Sequence, residues 1–175
     1  AFRGCSSLKQ ITLPSSLISI GSNAFSECTS LIEITIPPSV TSIGENAFNG
    51  CSSLTQVINQ SSITAIKNYT FSECSSLKKV TIPPTVTLIG IGAFTGCSSL
   101  SQINIPPSVT TIGSSAFNKC NSLPANSIPK NLLSDHFIFP SINQSNNASR
   151  SSLGNNEINN NGSDVENKGT NNGSG

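Results

Sequence analysis

Six cysteines stand at positions 5, 28, 51, 74, 97 and 120, each 23 residues from the next. Thiols can hold a metal, pair as disulfides, or fill space as small apolar groups. A zinc site needs clustered ligands, as in C-x-x-C, whereas one cysteine per 23-residue step makes a row and not a tetrahedron. Disulfides are harder to dismiss. If the repeats stack, neighbouring cysteines lie about 4.8 Å apart, inside the range of about 4.4–6.8 Å between Cα atoms that a bridge requires. In-register Cβ vectors run parallel rather than converging, which strains such a bridge. A ladder of buried thiols, each packing as a small apolar side chain, is the expected state. The even count and an extracellular setting leave pairing open.

Other reactive groups are sparse. The one histidine, His136, falls where the repeat is fading, and a solvated or capping role is expected for it. The carboxylates Glu27, Glu33, Glu45, Glu73, Asp135, Glu157, Asp164 and Glu166 are scattered. No two are held by the repeat at a distance suited to acid–base work. There is no glycine-rich phosphate loop and no serine-nucleophile elbow. No enzymatic activity, cofactor or metal is expected. With a net charge of +1 and 10% charged residues, the chain has no basic stripe for a nucleic acid. No apolar run reaches the 18 residues of a membrane span.

The elements that carry these residues follow from the same period. Phe2, Phe25, Phe48, Phe71, Phe94 and Phe117 keep the 23-residue step, as do Leu8, Leu31, Leu54, Leu77, Leu100 and Leu123. A strict period without insertions marks a stacked solenoid. Residues 28–51 show one coil most cleanly. Leu31, Ile34 and Ile36 follow the spacing L-x-x-L-x-L, and the alternation at Ile34 and Ile36 predicts a strand with Thr35 facing the other way. Pro37 and Pro38 lack amide donors and end it. Val40 and Ile43 predict a second short strand on the opposite wall, closed by Gly44, where a positive φ is expected. Residues 45–49 are expected to form a helical turn that drops Ala47 and Phe48 inward. Leu31, Ile34, Ile36, Val40, Ile43, Ala47, Phe48 and Cys51 are thus the expected core of a coil, and one coil alone cannot bury them.

The pattern Cys-x-x-Leu-x-x-Ile-x-Ile-Pro-x-x-Val-x-x-Ile-Gly-x-x-Ala-Phe-x-x-Cys resembles the BspA-like class of leucine-rich repeats, over about residues 1–132. The resemblance implies an α/β leucine-rich-repeat solenoid, mostly β. It would be a right-handed, curved coil with a parallel sheet on its concave face and short strands and helical turns elsewhere. It also implies a surface-associated protein, since relatives are largely of that kind and some are adhesins. On that sheet the outward positions form two columns, Gln10, Glu33, Gln56, Lys79, Gln102 and Thr12, Thr35, Ile58, Thr81, Asn104, flanked by Lys9, Ile32, Thr55, Lys78 and Ser101. Polar, mixed and lightly charged, they suit a protein or glycan partner. A non-enzymatic adhesin or receptor-type module is the first expectation, and an intracellular scaffold with free thiols is the second.

The expected solenoid covers residues 1–140, with about five full repeats between a partial N-terminal coil and a degenerate C-terminal one. Ala1, Phe2 and Cys5 match the end of a repeat, so further repeats are expected on the N-terminal side. Residues 137–140, Phe-Ile-Phe-Pro, are expected to fold over the last coil as a cap. Residues 141–175 hold 11 asparagines and few large aliphatics. They predict a disordered Asn/Ser/Gly-rich tail, because so little burial cannot offset roughly 1–2 kcal/mol of backbone entropy per residue. The third coil departs most from the pattern. Asn59 and Gln60 stand where Ile36 and Pro37 were, Lys67 replaces glycine, and the sequons Asn59-Gln60-Ser61 and Asn68-Tyr69-Thr70 appear. Neutral drift is the expected cause, a modified or ligand-facing coil the alternative. If the glycine position needs φ > 0, Lys67 carries a strain of roughly 1–2 kcal/mol. Further sequons, at Asn143, Asn147, Asn161 and Asn172, fall in the tail.

Overall fold

The alternating triplet around Thr35 becomes strand β2, Glu33–Ile36, whose residues are exposed and buried by turns. Its successors one and more periods on are β4 (Gln56–Asn59), β6 (Lys79–Val80) and β8 (Gln102–Ile103). These four make one parallel sheet in the order β2-β4-β6-β8. Pairing is at the repeat step throughout: Glu33 faces Gln56, Gln56 faces Lys79, and Lys79 faces Gln102. The second wall carries two-residue strands, β1 (Ser19–Ile20), β3 (Ser42–Ile43), β5 (Ala65–Ile66), β7 (Leu88–Ile89) and β9 (Thr111–Ile112). This computed structural model describes residues 1–124 and 126–132, all in the first of two units, Ala1–Ile142 and Asn143–Gly175. The expected cap at 137–140 and the tail from 141 lie outside the described residues.

Every expected core position of the second coil is sealed, from Leu31 through Cys51. The phenylalanines stack as one column. Adjacent rings from Phe2 to Phe117 lie 5.3–5.5 Å apart between centroids, with planes within 11° of parallel. Parallel rings at that separation are offset, a geometry that adds about 0.5–1.5 kcal/mol per pair beyond area burial.

The third wall differs from the helical turn expected at 45–49. It is a run of tandem tight turns, and the only helical segment among the described residues is a 3₁₀ turn at Lys130–Leu132. Amides there alternate between two partners. Ala24, Ser26 and Cys28 donate within the coil to Gly21, Asn23 and Phe25. Asn23, Phe25 and Glu27 donate across to Glu45, Ala47 and Asn49 of the next coil. Such alternation demands left-handed backbone at two positions per coil. They are the columns Asn23, Asn46, Tyr69, Gly92, Ser115 and Gly4, Glu27, Gly50, Glu73, Gly96, Lys119, with φ between 55° and 77°.

Gly44 is therefore not the positive-φ residue that its place in the pattern suggested. What it supplies is closeness. A Cβ on Gly44 would collide with the Ser22 backbone nitrogen, one on Gly90 would lie 2.7 Å from Asn68 N, and one on Gly113 2.5 Å from Ile91 N. The reward is a bond from each of these glycine amides to the coil before, 2.8, 2.7 and 2.7 Å long. Lys67 has a Cβ at this position and is not among the positive-φ residues, so the φ strain expected for it is absent. Among the described residues the matching bond from Lys67 is missing, and the second wall is split there: β1-β3 forms one sheet and β5-β7-β9 another.

Gly21 occupies the same column with nothing within 4 Å of an added Cβ. Gly44→Ala should thus lose stability, by about 1–3 kcal/mol as an overpacked substitution does, while Gly21→Ala should cost much less. Urea denaturation of the two variants checks this, and equal losses would contradict the close-approach explanation.

Candidate interaction face

The strand period that buries Ile34, Ile36 and Val57 necessarily turns Glu33, Thr35, Gln56 and Ile58 outward. All ten residues of the two predicted columns are exposed. Their support is uneven. Glu33, Thr35, Gln56, Ile58, Lys79 and Gln102 lie within the four-stranded sheet. Gln10 and Thr12 precede its first strand, and Thr81 and Asn104 lie just past the ends of β6 and β8. The first coil is nevertheless tied on, because the Ile32 amide donates to the Lys9 carbonyl at 3.1 Å.

Two shallow hollows mark this face, which the sequence pattern did not reveal. One, of about 310 Å³, is bordered by Gln10, Thr12, Glu33, Thr35 and Gln60 over a floor that includes Pro37. The other, of about 460 Å³, is bordered by Lys79, Thr81, Gln102, Asn104 and Ser127. Between them runs the third coil with Ile58, 37% exposed, in register with Thr35 of the second coil. A third hollow, of about 300 Å³, lies at the first coil, where Phe2, Leu13 and Leu17 leave apolar surface uncovered.

The cysteines are thiols, and five of the six are buried. Each buried sulfur donates to a phenylalanine carbonyl 26 residues back: Cys28 to Phe2, Cys51 to Phe25, Cys74 to Phe48, Cys97 to Phe71 and Cys120 to Phe94, at 3.1–3.2 Å. Burial pushes their ionisation upward, to about 12 for Cys51 and Cys120. For Cys74 and Cys97 it goes well above the ordinary thiol value, with the neighbouring thiols of the row adding to the effect. Cys28 is raised as well, again chiefly by burial. Such thiols are poor nucleophiles and poor metal ligands. Among the described residues no three His, Cys, Asp or Glu side chains are grouped as a metal ion requires.

The carboxylates are spread as their numbers suggested. Glu33 is on the sheet; Glu27 and Glu73 curl over Gly50 and Gly96 on the turn wall, each with carboxyl atoms 2.6–2.8 Å from where a Cβ would stand. Asp135, His136, Glu157, Asp164, Glu166 and the sequons from Asn143 onward lie outside the described residues. The asparagines of both third-coil sequons are hydrogen-bonded, Asn59 buried and Asn68 half-buried. Asn59 is buried, its Oδ1 accepting from the Ser61 amide and hydroxyl while its Nδ2 has no partner. Asn68 donates from Nδ2 to Glu45 Oε1 and accepts on Oδ1 from the Ile91 amide, and Thr70 is fully buried.

Comparison with known proteins agrees with this geometry. Residues 1–124 match the model of the BspA type Leucine rich repeat region in six copies. A leucine rich cell surface protein from Faecalibacterium prausnitzii has a similar structure, with 42% identity and a TM-score of 0.62 over 65% of this chain and 30% of that one. The Leucine Rich Repeat protein of T. pallidum gives 34% identity and a TM-score of 0.61, over 65% of this chain and 55% of that one. A leucine-rich repeat protein from Bacteroides ovatus gives 33% and 0.58, over 68% and 37%. The chain thus spans about a third to a half of the length of these structures. No curated protein matches it.

A thiol whose folded pKa is raised keeps its proton after the unfolded chain has lost its own. The stability it confers is complete below the ordinary value of 9.0 and is lost as pH rises toward about 12. The urea midpoint should therefore fall between pH 9 and 12, and fall less steeply in Cys51→Ala. A thiol reagent at pH 8 should label Cys5 alone in native protein. Prompt labelling of several native thiols would contradict the sealed ladder.

Proposed function

Since the chain belongs to the BspA-type leucine-rich repeat family, whose repeats build protein-interaction solenoids, we propose that it is a non-catalytic recognition module of the cell surface, an adhesin or a receptor-type ectodomain. The outward side of the four-stranded sheet is its binding face. The observation that carries this reading is the division of labour within each strand. Inward residues are consumed by the stack, while the outward ones of the sheet are exposed, polar apart from Ile58, and held in register by a continuous parallel ladder from β2 to β8. A rigid scaffold lowers the ordering cost of binding. The description of the Faecalibacterium structure as a cell surface protein supports the location.

The unpaired thiols favour a second reading, an intracellular scaffold with the same face. Detection of the chain on intact, unpermeabilised cells decides between them.

Alanine at Gln56, Lys79 and Gln102 together tests the face. Binding of the full chain to plates coated with matrix protein or with host cells should fall by about tenfold or more, as when several central interface residues are truncated. Undiminished binding would move the function to another surface.

A further inference from the structure

The first outward column alternates amide and charge, coil by coil: Gln10, Glu33, Gln56, Lys79, Gln102. The last four are direct register partners. Each charge borders one of the two hollows of the face, Glu33 the smaller and Lys79 the larger. Neither has an ion-pair partner among the described residues. The remaining charges of this face are Lys78, beside Lys79, and Lys9, one coil before Glu33, both exposed. The face is thus anionic at the second coil and cationic at the fourth, with uncharged Gln56 and Ile58 between.

Two coils are separated by twice the strand spacing, about 9.6 Å. A polyproline-type helix has three residues per turn and a rise of about 3.1 Å, which puts residues i and i+3 on one side about 9.3 Å apart. A β-strand fails this match, because its residues i and i+3 point to opposite faces. The extended helix also makes no internal hydrogen bonds. Its amides need both donors and acceptors, and glutamine side chains provide both. Gln56 stands at the step between the charges, and Gln10 and Gln102 flank them on either side. The column carries no aromatic ring, so a sugar would find no flat apolar platform there.

Resting on the reading of this sheet as the binding face, we propose its partner: an extended, polyproline-like protein segment lying along the stacking axis. A basic residue of the segment sits over Glu33, and an acidic residue three positions away sits over Lys79. The glutamines of the column hold its backbone.

The test is selection, on the immobilised full chain, of displayed proline-rich peptides in which two randomised positions are separated by none to five prolines. The wild type should enrich opposite charges three positions apart. Glu33→Lys should enrich two acidic residues at that spacing, and Lys79→Glu two basic ones. Each reversal should cut recovery of the wild-type binders about three- to tenfold, the scale of exposed charge pairs turned from attraction to repulsion. Unchanged thermal melts establish that the variants fold. Peptides that lose binding in Gln56→Ala/Gln102→Ala but show no charge spacing would overturn the proposed partner and leave the binding face standing. So would a glycan bound at the same face. If nothing selected depends on sheet residues, the partner and the face fall together.

Discussion

Each coil can hide its apolar side only against the coil next to it. Burial, backbone bonding and ring stacking all answer to that constraint. Residues one period apart occupy the same place in successive layers, so a phenylalanine meets a phenylalanine at 5.3–5.5 Å and a thiol meets the carbonyl of the layer before. The strictness of the 23-residue step follows from the turn wall, where amides bond alternately within and between coils. One inserted residue would exchange the two sets of donors for the whole layer, leaving carbonyls of both coils unmatched.

The third coil measures how much irregularity such a stack absorbs. Asn59 sits in a column otherwise filled by Leu13, Ile36, Ile82, Ile105 and Ile128, with a buried Nδ2 that has no partner. An orphaned donor of that kind costs about 1–3 kcal/mol. Lys67 stands where glycine allows close approach, and β3 and β5 do not pair with each other, though β3 keeps β1 and β5 keeps β7. Yet Phe71 keeps both stacking partners and β4 keeps both of its strand neighbours. Damage on one wall is contained because the other contacts of the same coil remain, and the proposed binding face stays continuous across it.

Much of this was legible in the residues. Period, core positions and outward columns follow from side-chain alternation, which is a property of the backbone and needs no knowledge of neighbours. The glycine column misled because glycine has two uses. Gly44 serves close packing between coils, an inter-layer distance that no single coil encodes. The left-handed positions are filled by Asn23, Glu27, Tyr69 and Lys119 as readily as by glycine, so composition alone did not announce them. The same alternation of bonds explains why tandem turns replaced the expected helical turn. The hollows beside Glu33 and Lys79 stayed hidden because they depend on how far side chains of three coils reach. The column's alternation of amide and charge was visible throughout, but acquired meaning only when register made those residues neighbours.

The face proposed for recognition is therefore a by-product of the stack, and its rigidity is only as good as the burial beneath it. The most direct measurement of that burial is urea denaturation of Phe71→Ala beside Phe2→Ala. Phe71 is buried between two rings, whereas Phe2 has one ring neighbour and is 39% exposed. Stacking as the source of stability predicts a loss of about 3–5 kcal/mol for Phe71→Ala and far less for Phe2→Ala. A loss at Phe71 no greater than that at Phe2 would contradict it.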